Sequence, residues 1–141
     1  MKRCYEREVC LFRGILLDLS TLIGYYSGME ERYHIRHYLT QEGKDVFATW
    51  LRKLRDSKVR MYIVRRLDRV VLGNFGDHKS CGSHGLWELR IDYGPGYRVY
   101  YCLDGETMVI LLCGGDKSTQ DEDIAKAKMY KTDYDESKRH D

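Results

Sequence analysis

The run from Trp87 to Tyr101 (Trp-Glu-Leu-Arg-Ile-Asp-Tyr-Gly-Pro-Gly-Tyr-Arg-Val-Tyr-Tyr) constrains this chain more than any other segment. It reads as a pair of strands joined by a Gly94-Pro95-Gly96 turn. Successive strand residues point to opposite faces, so Trp87, Leu89 and Ile91 share one face and Glu88, Arg90 and Asp92 the other. On the second strand Tyr97, Val99 and Tyr101 group together, opposite Arg98, Tyr100 and Cys102. If the first sets form the core face, Arg90 and Arg98 emerge on one common surface. Guanidinium groups held side by side on a sheet, with tyrosines beside them, suit a phosphate, because their planar forks donate in pairs. Taken alone, the hairpin is better explained by solvated arginines, or by pairs with Glu88 and Asp92.

The flanking segments supply the rest of a fold. Tyr33–Leu39 alternates and is rich in strand formers, which predicts a first strand. Thr40 is placed to cap a helix from Gln41, with Val46, Phe47, Trp50, Leu51 and Leu54 as its apolar stripe. Ser57 is placed to cap a second helix, with Val59, Ile63, Leu67 and Val70 inside and Gly73 as terminator. Helices joined this closely should form an antiparallel hairpin. A polar loop is expected from Asn74 to Gly85. The run Thr107–Cys113 is apolar on both faces, as a central strand is. Gly114-Gly115-Asp116-Lys117 should leave the sheet, and Ser118 with Asp121 resembles a capping box opening a third helix to about Tyr130. Residues 132–141 read as a charged, frayed tail. The expected class is α+β: a small antiparallel sheet of about four strands, an N-terminal helical hairpin and a C-terminal helix. Helices on one face would leave the other bare, as a platform carrying arginine.

Composition narrows the functions. The chain has 141 residues, 43% hydrophobic and 33% charged, which suits one globular domain. The net charge of +2 implies no large polyanion-binding field, so any nucleic-acid contact must be local. The five cysteines are odd in number and lack C-x-x-C spacing, which argues against a disulfide framework or a zinc site and for reduced thiols in the cytoplasm. No cofactor is suggested, and His34, His37 and His140 have no ligand spacing. Residues 1–28 contain an apolar run interrupted by Arg13 and Asp18, too broken for a membrane span. They are expected to be an upstream extension of the reading frame or a weakly packed appendage, with a helix around residues 9–23 as the alternative. The main domain then covers residues 29–131. Gly114-Gly115-Asp116-Lys117-Ser118-Thr119 is no phosphate-binding loop, because the G-x-x-x-x-G-K-[ST] spacing is absent.

From about Tyr33 to Tyr130 the chain resembles the RelE/ParE toxin superfamily, and within it the HigB-like addiction module killer branch. The likeness is carried by Arg66-Leu67-Asp68-Arg69, by Gly73-Asn74-Phe75-Gly76-Asp77-His78-Lys79, by Glu88 through Tyr100, and by Gly114-Gly115-Asp116-Lys117-Ser118-Thr119-Gln120-Asp121. It implies a RelE-like fold and the toxin of a type II toxin–antitoxin pair. The implied activity is metal-independent cleavage of messenger RNA on the ribosome. The implied partners are the ribosome, messenger RNA and a helix-turn-helix, HigA-like antitoxin, with no membrane.

The same resemblance assigns roles. Arg98 looks equivalent to the family's catalytic arginine, while Arg90 and Lys117 fall at positions that are basic in the ribonuclease members. Glu88 departs from the pattern, standing where some members carry a lysine that acts on the 2′-hydroxyl. It would be a general base or a structural counter-ion, with equal weight. The family's C-terminal tyrosine has no clear match; Tyr93, Tyr97 or Tyr100 would stack on a base instead, with Tyr97 the better core residue. Arg65, Arg66, Arg69 and Lys79 are expected to meet RNA phosphates, and His78 or His84 would more readily be solvated than act as acid. Two other readings stay open: a noncatalytic inhibitor like the gyrase-poisoning branch, and an inactive module that only binds its antitoxin.

Overall fold

The computed structural model describes residues 4–5, 30–82 and 85–139. Its strands are β1 (Cys4–Tyr5), β2 (His34–Tyr38), β3 (His78–Ser80), β4 (Leu86–Ile91), β5 (Tyr97–Asp104) and β6 (Met108–Asp116). Its helices are α1 (Val46–Lys53), α2 (Ser57–Val71) and α3 (Gln120–Arg139), the last entered through a 3-10 turn at Lys117–Thr119. The strands form one sheet in the order β1-β2-β6-β5-β4-β3. The α+β class holds, with a C-terminal helix as expected. The sheet is mixed, because β2 runs parallel to β6. Apart from Cys4–Tyr5, which pairs with Tyr38 and His37, the expectations for residues 1–28 lie outside the described residues, as do His84 and His140.

The hairpin forms as its sequence requires. β4 and β5 pair antiparallel from Leu86↔Cys102 to Ile91↔Tyr97. Gly94 and Gly96 turn the chain with φ of 57° and 80°, a region that side chains with a Cβ rarely adopt. Leu89, Ile91, Val99 and Tyr101, with Trp87 and Tyr97 at the margin, pack against Phe47 and Leu51 of α1 and Val59, Ile63, Val64, Leu67 and Val70 of α2.

The opposite face is not bare. Tyr100, Cys102, Ile110, Leu112 and Cys113 are buried with Ala127 and Tyr134 of α3. The helix extends to Arg139 rather than stopping near Tyr130. The tail expected to fray is anchored by Tyr134, whose hydroxyl donates to Asp104 at 2.5 Å, and by the Lys138–Asp104 ion pair. Tyr38 likewise donates to Asp133 at 2.5 Å. A charged surface hid an apolar stripe at Ile124, Ala127, Tyr130 and Tyr134, whose spacing keeps them on one side of a helix.

Other boundaries moved for identifiable reasons. α1 is capped by Asp45, whose Oδ1 accepts from the Ala48 amide at 2.9 Å. Thr40, the expected cap, closes a separate turn through Gly43 (φ 83°) and accepts from the Lys44 amide at 3.1 Å. α2 is capped by Asp56, with Ser57 its first residue. The α3 entry is capped by Asp116, which accepts from the Ser118 amide at 2.8 Å, in place of the expected Ser118 box. Part of the polar loop is strand β3, paired His78↔Leu89, Lys79↔Glu88 and Ser80↔Trp87.

Gly114 and Gly115 lie within β6 rather than leaving the sheet. A register shift beside Tyr100 and Tyr101 inserts Leu112 as an extra residue, so Leu112 and Cys113 turn to the same cluster. Beyond it Gly114 and Gly115 fall on opposite faces. A Cβ on Gly114 would sit 2.3 Å from the Trp50 ring of α1, and one on Gly115 would sit 1.8 Å from Asp123 Oδ2 of α3. These glycines let helices close on both sides of one strand end.

Candidate functional site

The site lies where β4, β5 and β6 end and α3 begins. Arg90 and Arg98 are direct register partners across the hairpin, on the face that α3 covers. Like charges directly opposite in a sheet repel, so the pair needs compensation. Part of it comes from Glu88: Arg90 Nε lies 3.3 Å from Glu88 Oε1, with Asp77 Oδ1 3.8 Å from Arg90 Nη1. Glu88 is only 2% exposed and accepts from Gln120 Nε2 of α3 at 3.0 Å. Its carboxylate is therefore held as a counter-ion beneath the helix.

Arg98 is 9% exposed, and its Nη1 donates to the Tyr97 carbonyl at 3.1 Å. The guanidinium runs along the turn. Arg98 Nη1 lies 3.5 Å, and Lys117 Cβ 3.7 Å, from the point that a Cβ on Gly96 would occupy. Lys117 is exposed, and its amide donates to the Gly96 carbonyl at 2.8 Å. Thus the Arg98 guanidinium and the backbone and Cβ of Lys117 both adjoin Gly96, with Arg90 across the strand from Arg98. On the other flank Lys79 pairs with Glu88 across β3 and β4 and is exposed.

The covered part of the site is incompletely paired. Arg98 Nε and the Tyr100 hydroxyl are buried without a hydrogen-bond partner. A buried group left unpaired costs about 1–3 kcal/mol. Burial, then the nearby Glu88, raises the Tyr100 phenol above its ordinary value, so it stays neutral. Beside it Asp123 is 8% exposed and accepts from Thr119 Oγ1 at 2.6 Å. The Cys113 thiol is pushed up to about 12, chiefly by burial, and is no nucleophile at neutral pH. Tyr100 does not stack on anything from solvent: it is fully covered.

Arg66, expected on RNA, serves the protein instead. Its guanidinium donates to the carbonyls of Arg90 (2.7 Å), Phe75 (2.8 Å) and Asp77 (3.2 Å), fastening α2 to the strand end. The signal in the sequence is Gly76, where a Cβ would stand 2.9 Å from Arg66 Nη2. Arg65 and Arg69 remain exposed on α2. Tyr93 is 36% exposed and rests on Tyr62, with ring centroids 4.8 Å apart. His78 is exposed, bonds to the Gly76 carbonyl through Nδ1 and packs beside Phe75 and Trp87. Opposite Leu89, it sits on the other face of the sheet from the arginine pair. Gln120 and Tyr62 were not singled out from sequence, where the one reads as helix start and the other as helix surface. Among the described residues no group of three or more His, Cys, Asp or Glu could hold a metal ion, and no helix is long and apolar enough to cross a membrane.

A mixed sheet carrying two helices on one side, a C-terminal helix on the other and a cationic strand end defines a RelE-like α+β domain. Residues 49–140 match the family described as phage derived protein Gp49-like (DUF891). The chain belongs to that family, one of RelE/HigB-like addiction-module toxins. It is also 53% identical, over 83 residues, to an uncharacterized protein of Haemophilus influenzae (strain Rd), a match spanning 59% of this chain and 83% of that protein. No solved structure matches.

Proposed function

We propose that this protein is the toxin of a type II toxin–antitoxin pair of the HigB-like branch, and that it cleaves messenger RNA on the ribosome in the cytoplasm. The observation that supports the reading is that Arg98 Nη1 and the base of the Lys117 side chain both adjoin Gly96, with Arg90 directly across the strand from Arg98. Cleavage requires the ribose 2′-oxygen to bond to the adjacent phosphorus while the bond to the 5′-oxygen breaks. The 2′-proton leaves to a base, and a proton reaches the departing oxygen. The products are a 2′,3′-cyclic phosphate and a 5′-hydroxyl. The chain's part is electrostatic. Arg90 and Arg98 donate to the phosphorane oxygens, relieving their own repulsion, and Lys117 steadies the phosphorane or the leaving oxygen. Glu88 orients Arg90; as a base it would first have to exchange its bond with Gln120. Lys79, Arg65, Arg69 and Tyr93 are the proposed RNA contacts. The expected partner is an antitoxin of helix-turn-helix type.

Expression without antitoxin is expected to arrest growth, with transcripts cut inside translated codons. Arg98→Ala should lower cleavage by about 10²–10³-fold, as loss of a preorganised transition-state donor does, while antitoxin binding persists. Growth curves and mapping of transcript ends check both. An Arg98→Ala variant as toxic as the parent, or intact transcripts accompanied by DNA damage, would remove the nuclease reading.

A further inference from the structure

The surface of α2 holds a feature that the arginine cluster does not use. Tyr62 is 45% exposed and Tyr93 36% exposed, and their rings lie against each other at 39°. One comes from the helix and the other from the β4–β5 turn, so each fixes the other with a broad aromatic surface left in solvent. At 100° per residue Lys58, Tyr62, Arg65 and Arg69 fall within an arc of about 60°, directed away from the core stripe of Val59, Ile63 and Leu67. All four are exposed. Lys58 to Arg69 spans about 16 Å of helix axis, room for several phosphates of a stacked strand.

The stripe is uncompensated. No ion pair joins Lys58, Arg65 or Arg69 to an acid among the described residues. Of the nearby acids, Asp56 caps the helix, Asp68 is half-buried, and the exposed Asp92 beside Tyr93 forms no ion pair with these cations. The remaining exposed large hydrophobics of the described residues, Leu103 and Met129, stand elsewhere, at the far end of β5 and on α3. The helix face that carries Tyr62 is cationic through Lys58, Arg65 and Arg69, and an aromatic pair on such a face has the composition of surfaces that stack bases and track a phosphate backbone.

We propose that Tyr62 and Tyr93 form a stacking site for an unpaired RNA base, with Lys58, Arg65 and Arg69 holding the backbone on either side. The site lies outside the arginine cluster but is continuous with it: Tyr93 closes the turn that carries Gly96, and the neighbouring Arg66 is bonded to the Arg90 carbonyl. The inference rests on the nuclease reading for its choice of RNA. It adds that α2 selects single-stranded segments, since a base inside a duplex has both ring faces covered by its stacked neighbours.

The test uses the full chain and a short single-stranded oligoribonucleotide carrying a fluorescent adenine analogue, whose emission is quenched on stacking. The parent should bind and quench, and the same sequence in a duplex should bind far more weakly. Tyr62→Ala should weaken binding about 5- to 100-fold and abolish quenching, Tyr93→Ala should do the same from a different element, and Tyr62→Phe should retain both. Quenching by Tyr62→Ala equal to the parent's overturns the proposal. So does unchanged RNA binding accompanied by loss of binding to the purified cognate antitoxin, which would assign the surface to a protein partner. Arg98→Ala separates the two readings: if it still cleaves while Tyr62→Ala no longer quenches, the nuclease site is misplaced and the stacking site stands.

Discussion

The two faces of the sheet are built on different terms. Under α1 and α2 the contacts are aliphatic and aromatic, with Leu89, Val99, Val109 and Leu111 wholly buried among Phe47, Leu51, Ile63 and Leu67. Under α3 the same strands bury Glu88, Arg98 and Tyr100, with Asp123 contributed by the helix itself. An aliphatic contact returns free energy for every ångström of apolar area it covers. A buried ion returns little unless fully paired, and is costly when it is not. The first face therefore holds its helices by apolar packing, whereas the second adds to its own apolar cluster of Ile110, Leu112, Ala127 and Tyr134 a set of buried polar groups kept at the expense of stability. The unpaired Arg98 Nε and Tyr100 hydroxyl mark where that expense falls.

The sharpest way to break this comparison is to hollow the first face. Leu89→Ala should cost about 2–5 kcal/mol, the range for removing a leucine side chain from a closed core. A lower urea midpoint with unchanged slope measures it. A cost below about 1 kcal/mol would mean that the α1–α2 layer does not carry the fold, and the contrast fails.

Much of the contrast was legible in the sequence. Period-2 alternation, with the Gly94-Pro95-Gly96 turn, was enough to place Arg90 beside Arg98 and to select Trp87, Leu89, Ile91, Tyr97, Val99 and Tyr101 for the α1–α2 side. What covers Arg98 was not legible. Glu88, Arg90 and Arg98 look solvent-facing by residue type, and local pattern carries no information about an element that returns from later in the chain. The α3 stripe is thin, and exposed charges such as Glu136, Lys138 and Arg139 read as a solvated tail. The bulge at Leu112 also hid the site's floor, because it inverts the phase that places Gly114 and Gly115. The anchoring role of Arg66 was hidden for a related reason: its acceptors are backbone carbonyls, which leave no trace in residue type.

The second face is probed at Gly115. A methyl group there meets Asp123 Oδ2 and cannot be placed without displacing that buried carboxylate and its bond with Thr119 at the start of α3. Gly115→Ala should cost about 1–3 kcal/mol, in line with overpacking elsewhere. The informative readout is hydrogen exchange: amides of α3 should lose protection while those of α1 and α2 keep theirs. Equal loss across all helices would show that the faces unfold as one unit and do not divide the labour.

The smallest expected effect concerns Asp68, a half-buried carboxyl of α2. Asp68 of α2 titrates at about 6, because burial disfavours its charge. The folded state thus holds this proton more tightly than the unfolded chain, whose aspartates titrate near 3.9. Its ionisation is a penalty that is absent below about pH 4, grows as pH rises to about 6, and persists above. Asp68→Asn should therefore stabilise the protein at neutral pH by about 1 kcal/mol, allowing for partial exposure. That advantage should shrink to nothing in acid. Paired melts of parent and variant across this window cancel the titration of every other group. A gain independent of pH would trace the effect to packing or helix propensity rather than to the charge of the carboxyl.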